Sequence, residues 1–244
     1  MIEFPKPKLI VSRCLEFDSC RYNGQKIPNN FVSLLKDYVD FVPVCPEMEI
    51  GLGVPRDTIQ IRKVNSDYDL YQSKTGLSLG RKMSQFSSEF ISAQFDIDGA
   101  ILKSKSPSCG IRGIHVYNQN GKTSEKRAGF FAAELHRQLP GIASEDEGRL
   151  NNAVIREHFL TKLYTIRLFK DIAMEKSINA LVRFQAENKY LFMTYNQNQM
   201  RQLGRLIANH EKKKIAQVID ECEPVIHKIL AQSPRRQSVV NVLM

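Results

Sequence analysis

Five cysteines, at positions 14, 20, 45, 109 and 222, are the residues of this chain best suited to holding a metal. Thiolates bind zinc or iron–sulfur clusters, and zinc takes four ligands in structural sites or three plus water in catalytic ones. No pair forms a C-x-x-C knuckle, which argues against a zinc finger, and an odd count offers no disulfide framework. Cys14, Cys45 and Cys109 stand apart, because each follows a short strand-like run. Three such thiols can bind zinc or occupy three corners of a 4Fe-4S cluster, leaving one iron open. The plainer reading of any one of them is a small buried hydrophobe. Cys20 reads as a thiol near the site or a packing residue. Cys222, between Glu221 and Glu223, reads as structural.

Glu47 lies two residues past Cys45, close enough to share its surroundings, and a carboxylate can take a proton from water. Its alternative is a surface acid or an ion-pair partner for Arg56. Ser104, Ser106 and Ser108 share the loop Lys103-Ser104-Lys105-Ser106-Pro107-Ser108-Cys109-Gly110. A hydroxyl there can bind a substrate atom or a thiolate, while Lys103 and Lys105 can offset negative charge. Gly51-Leu52-Gly53 lacks the spacing of a phosphate cradle. The five histidines are scattered and make no H-E-x-x-H, so a metalloprotease has no support.

These residues need elements to position them. Lys8–Ser12, 41–44 and Gly99–Leu102 read as strands, the second weakened by Pro43. Apolar spacing predicts helices over 27–38, 76–93 and about 124–138. Strand alternating with helix is the pattern of a parallel sheet with covered faces, which binds ligands beyond the carboxyl ends of its strands. The three cysteines therefore converge at one edge. From about residue 150 the texture becomes helical, with helices expected over 151–172, 177–195, 197–208 and 212–230. The expectation is an α/β class, a three-layer Rossmann-like domain over 1–145, followed by an all-α domain over 146–244. The apolar run at 238–244 implies that this helical domain continues further.

There are 35 Lys and Arg against 26 Asp and Glu, a net charge of +9, divided as +4 over 1–140 and +5 over 141–244. A basic surface attracts polyanions, nucleic acid foremost. In the helical half, Arg183, Lys189, Arg201, Arg205 and Lys212-Lys213-Lys214 interleave with Tyr190, Phe192 and Tyr195, a pattern suited to docking RNA. Hydrophobic residues at 42% and charged residues at 25% exclude a disordered or fibrous chain. No apolar stretch is long enough to span a bilayer and no signal peptide is evident. A cytoplasmic protein is expected, and its oligomeric state is left open.

Three segments carry a family resemblance. Ser12-Arg13-Cys14-Leu15 with Cys20-Arg21-Tyr22-Asn23-Gly24, Val44-Cys45-Pro46-Glu47 with Gly51-Leu52-Gly53-Val54-Pro55-Arg56, and Lys103 to Gly110 resemble, in order, the motifs of the TudS-like thiouracil desulfidase family. Leu181 to Leu191 and Leu203-Gly204-Arg205-Leu206 resemble the YbgA-like helical domain, and the fusion is similar to RudS-type desulfidases of 4-thiouridine in tRNA. The resemblance implies a 4Fe-4S cluster held by Cys14, Cys45 and Cys109. It also implies help from Glu47 and from Ser106, and a hydrolase that releases sulfide from thiolated uracil. The sequence departs from the family at Glu16-Phe17, where a glycine is usual, and at Asn23, where the usual residue is Asp. Three readings follow: a cluster-dependent desulfidase acting on thiolated uracil in tRNA, a non-catalytic RNA-binding accessory protein with structural zinc, and a desulfidase of free thiouracil.

Overall fold

Strands buried on both faces belong to covered parallel sheets, and Leu9, Ile10 and Val11 are fully buried in β1 (Lys8–Ser12). In the computed structural model, which describes residues 5–118 and 120–243, β1 pairs in parallel with β2 (Asp40–Val44) and with β5 (Gly99–Leu102). With β8 (Ala143–Asp146) they form a sheet of order β2-β1-β5-β8. Pro43 is tolerated because β2 is the edge strand, where a missing N–H breaks no ladder on the open side. The chain divides into two compact units, one of Pro7–Pro140 and Ser144–Asn151, the other of Gly141–Ala143 and the residues from Asn152 on.

The α/β unit contains a second sheet that hydrophobic patterning did not foretell. β3 (Ile59–Val64) and β4 (Asp67–Gln72) form a hairpin; β6 (Ile114–Tyr117) lies parallel to β3, and β7 (Thr123–Arg127) antiparallel to β6. One face of this sheet packs Ile59, Ile61, Leu70, Ile114 and Val116 against Leu79 and Met83. The helix expected over 124–138 is therefore corrected: its start is strand β7, and α4 runs only over Phe130–Gln138. α1 (Asn30–Leu35), capped by Asn29, is shorter than the 27–38 expectation, since Leu34 and Tyr38 are exposed and only Val32 and Leu35 enter the core. α2 (Pro46–Glu49) follows β2, and α3 spans Gly80–Ser92, starting where Asp69 accepts from the Gly80 N–H at 2.9 Å.

The helical unit comprises α5 (Ala153–Glu175), α6 (Ile178–Glu187), α7 (Lys189–Ala208), α8 (Ile215–Ile229) and α9 (Arg236–Leu243). Asn152 and Ser177 cap α5 and α6. The stretch expected as one helix over 177–195 breaks at Asn188. The expected boundary at 196 is a kink inside α7, where Asn196 leaves helical geometry and its side chain caps the continuation by accepting from the Gln199 N–H at 3.1 Å. Phe184 packs between Phe169 and Phe192 at centroid distances of 5.7 Å each, and all three are core. No described helix is long and apolar enough to cross a membrane. Phe184→Ala should lower the stability of this unit by about 3–5 kcal/mol, read as an earlier unfolding transition in calorimetry.

Candidate active site

The central strands end level. Ser12 is in register with Val44 and Val11 with Ile101, so β1, β2 and β5 release their chains at one edge. The Arg13 N–H donates to the Val44 carbonyl and the Lys103 N–H to the Ser12 Oγ, both at 2.8 Å, fastening the three exits together. Cys14 follows β1, Cys45 is the residue before α2, and Cys109 sits in the loop after β5. All three line one cavity of about 740 Å³, together with Cys20, Glu47 and Ser106.

The Cys109 loop is held by the start of α4. That helix has no side-chain cap; instead its first N–H groups donate to loop carbonyls, Gly129 to Gly110 at 2.8 Å, Phe130 to Pro107 at 3.1 Å and Phe131 to Ser108 at 3.0 Å. So close an approach requires glycine at 129, where a Cβ would stand 2.4 Å from the Ser108 carbonyl oxygen.

Glu47 is reached from two sides. Arg56 Nε donates to its Oε2 at 2.8 Å and Ser108 Oγ to its Oε1 at 2.8 Å. Ser106 Oγ accepts from the Cys109 N–H at 3.1 Å and lies 2.9 Å from Ser108 Oγ. Since Ser108 gives its proton to Glu47, the Ser106 hydroxyl is the donor between the two serines. The order is Ser106, Ser108, Glu47, Arg56. Arg56, with only 3% of its side chain exposed, also donates to the Gly53 carbonyl at 2.9 Å and approaches the Cys45 sulfur at 3.9 Å. Both roles weighed for Glu47, cavity acid and partner of Arg56, are thus present together. Lys103 pairs with Glu147, whose carboxylate also accepts from the Ser104 N–H at 2.6 Å and Ser104 Oγ at 2.8 Å.

The thiols are electrostatically unequal. Burial, then the neighbouring Cys45, pushes Cys14 up to about 12, while the charge of Lys103 opposes the rise. Burial drives Cys109 higher still, against a hydrogen bond with Ser12. Cys45 is drawn down to about 7, first by its hydrogen bond with the Cys20 thiol, then by the Met48 N–H and the charge of Arg56. Cys20 is raised by the same hydrogen bond and by burial. Three thiols lining one cavity are a donor set suited to a thiophilic metal group. Among the described residues, however, no three His, Cys, Asp or Glu side chains gather tightly enough for a single metal ion.

The structure brings Cys14, Cys45, Cys109, Glu47 and Ser106, the residues singled out from the sequence, into one cavity. Sequence reasoning missed Ser108 as the hydroxyl on Glu47, although adjacency to Cys109 was a signal, and gave Arg56 only as an alternative partner. Glu147 had no signal. In the helical unit, Phe192 is core and Tyr195 half-buried, whereas Tyr190, Arg201 and Arg205 are exposed. Lys213 is neutralised by Glu221 at 2.6 Å. The interleaved basic and aromatic series is therefore only partly a surface feature.

The fold and site define an α/β unit with a thiol-lined cavity at the carboxyl ends of its parallel strands. A family model described as 2-thiouracil desulfurase matches residues 9–147, more than half of the chain, and the chain belongs to that family. Residues 189–244 match DUF1722, a family of unknown function. The uncharacterized protein YbbK of Bacillus subtilis (strain 168) is 29% identical over 149 residues, covering 57% of this chain and 96% of that protein. A solved structure described as the 4Fe-4S-dependent thiouracil desulfidase TudS is 30% identical, with a TM-score of 0.45, covering 60% of this chain and 94% of the other.

Because a Cβ at 129 must displace the Ser108 carbonyl, Gly129→Ala should cost about 1–3 kcal/mol of stability. The shift should be seen as a lower urea midpoint, with N–H exchange becoming faster first at Phe130 and Phe131.

Proposed function

We propose that the α/β unit is a desulfidase that replaces the sulfur of a thiolated uracil with oxygen from water, and that its substrate is 4-thiouridine in tRNA. Cys14, Cys45 and Cys109 hold a 4Fe-4S cluster, and Glu47 and Ser106 are the acid–base groups. The observation that carries this reading is the meeting of the three thiols with the Ser106–Ser108–Glu47 chain in one cavity. Three thiols are the ligand number that leaves one iron of a 4Fe-4S cluster open, whereas a structural zinc takes four ligands. Membership of the desulfurase family supports the reaction. The net charge of +9 supports a polyanionic substrate.

The reaction balances as thiouracil plus water giving uracil plus hydrogen sulfide: a carbon–oxygen bond forms, a carbon–sulfur bond breaks, and no electrons are transferred. A bound cluster with three protein ligands supplies a thiophilic iron site for the departing sulfur. The protein's own residues handle water and protons. Glu47 takes a proton from the attacking water at Oε1 or Oε2, and Arg56 keeps the carboxylate aimed by occupying one side of Oε2. Once Glu47 is protonated the chain reverses, with Glu47 donating to the fully buried Ser108, Ser108 to Ser106, and the released Ser106 hydroxyl to the substrate. Arg201 and Arg205, exposed on α7, fit a supporting contact with RNA phosphates.

Replacing Cys14, Cys45 or Cys109 by Ser should strip iron from anaerobically reconstituted protein, whereas Cys222→Ser should retain it. Full iron content in any of the first three variants would remove that residue from the ligand set. Glu47→Ala should keep its iron and lose about 100- to 10,000-fold in rate per cluster, measured as sulfide released from thiolated tRNA. Ser108→Ala should likewise keep its iron and slow turnover, with a smaller effect on KM than on kcat. Unchanged turnover in both variants would end the proton-transfer assignment.

A further inference from the structure

The second sheet of the α/β unit has two faces, and only one is accounted for by the core. Residues alternate across a strand, so Ile59 and Ile61 point with Leu70, Ile114 and Val116 into the cluster around Met83. The register places Gln60 opposite Tyr71, Arg62 opposite Tyr117, and His115 opposite Lys126. These six residues therefore share the other face. Three of them, Gln60, His115 and Tyr117, also line the cavity that holds Cys14, Cys45 and Cys109. The face is continuous with the site.

Its chemistry is that of a surface for an anionic chain with flat rings. The Arg62 guanidinium lies over the Tyr71 ring at 5.1 Å. With its amide oxygen turned toward the guanidinium, Gln60 accepts from Arg62 Nε at 2.8 Å, which fixes the cation along β3. Asp69, the carboxylate opposite Arg62 in register, is committed to Ser78 Oγ at 2.7 Å and the Gly80 N–H at 2.9 Å. On the core-facing side, by contrast, Lys63 is neutralised by Glu125 at 3.2 Å. Among the described residues neither Arg62 nor Lys126 has a carboxylate within ion-pair distance. Lys126 and His115 are exposed, and the Tyr117 ring lies at the cavity edge. A second aromatic–arginine pair, Arg21 over Tyr22 at 5.4 Å, also lines the cavity. Cations positioned for phosphates beside rings positioned for bases are how single-stranded nucleic acid is held without sequence preference.

We propose that this face of the second sheet carries the single-stranded RNA flanking the thiolated base, with Arg62 and Lys126 contacting phosphates and Tyr117 offering its ring to a neighbouring base. The proposal rests on the reading that the substrate is a thiolated uridine in RNA. It places the contact nearest the chemistry on the α/β unit itself.

The test uses the cluster-loaded, full chain and a short single-stranded RNA with one internal 4-thiouridine. Binding is followed by fluorescence anisotropy over a salt series, and turnover by sulfide release, with free 4-thiouracil as the parallel substrate. The variants are Arg62→Gln/Lys126→Gln and, in case the double change disturbs the sheet, Lys126→Gln alone, both exchanges polar and neutral. Affinity of the double variant for the RNA should fall about tenfold, and the slope of log affinity against log salt should shrink by about 1.4, or about 0.7 per lost phosphate contact. Lys126→Gln should lose about half that slope, while turnover of free 4-thiouracil stays unchanged in both. Wild-type affinity and slope in both variants would overturn the docking face and leave the RNA reading standing. Equal losses on RNA and free base would also overturn it, because the residues would then act through the cavity. A wild-type protein that desulfurates free 4-thiouracil, yet neither binds nor desulfurates the RNA, would overturn the RNA reading and this proposal with it.

Discussion

The ladder joining β1 to β2 and β5 fixes where every thiol of the site begins. Because Leu9, Ile10 and Val11 are all buried, burial alone cannot select the register, as it does where one face of a strand meets water. The register is instead pinned at both ends. At the entry, the Lys8 N–H donates to Asp98 and the Asp40 N–H to the Pro7 carbonyl, both at 2.8 Å. At the exit, the Arg13 N–H is bound to Val44 and the Lys103 N–H to Ser12. A slip of one residue would forfeit these bonds and carry one cysteine loop more than 3 Å along the sheet, roughly the rise of one strand residue. The convergence of Cys14, Cys45 and Cys109 is thus a property of sheet pairing before it is a property of the loops.

A second constraint is charge. Carboxylates and thiolates drawn into a partly buried cavity are costly unless cations and donors meet them. The protein divides this work between two buried pairs. Arg56 binds Glu47 and approaches the Cys45 sulfur, so one guanidinium orients the acid and moderates a thiol. Lys103, held by Glu147, is the cation that opposes the rise of Cys14. Cys109 has no such cation and is served by hydroxyls, with Ser12 and Ser108 both in reach. Ser108 therefore has two duties: its oxygen receives from Ser106, and its proton lies between the Glu47 carboxylate and the Cys109 sulfur.

Much of this was legible in the residues. Short β-rich runs marked β1, β2 and β5, and a cysteine following each one pointed to a common edge because parallel strands share their direction. The second sheet was not legible for a physical reason. β7 reads Thr-Ser-Glu-Lys-Arg, with no apolar alternation, and gains its pairing from β6; β4 contributes a single fully buried residue, Leu70. Pattern reading sees only what a strand buries by itself, whereas β4 and β7 are edge strands held by backbone pairing to β3 and β6, and the β3–β6 pairing joins the two hairpins. The serines show the same limit at the scale of one side chain. Ser106 and Ser108 are the same residue type in one loop, and adjacency to Cys109, which marks Ser108, does not by itself say which hydroxyl meets Glu47; the fold of the loop around Pro107, its carbonyls taken by α4, decides it.

The distribution of charge also bears on the size of the substrate. A free pyrimidine base is neutral and small beside a cavity of about 740 Å³, so cations at the mouth add little to its affinity. Of the cations lining that cavity, Arg56 and Lys103 are consumed by Glu47 and Glu147, and Arg13 by Glu49 at 2.5 Å. Arg21 and Lys105 stay open to an anion, and Lys105 is exposed on a loop residue of positive φ. Screening at physiological salt limits an exposed charge to about 8 Å of useful reach. Under the proposed RNA reading, a polynucleotide gives the open cavity cations and the basic face of the second sheet one shared role, contact with phosphates.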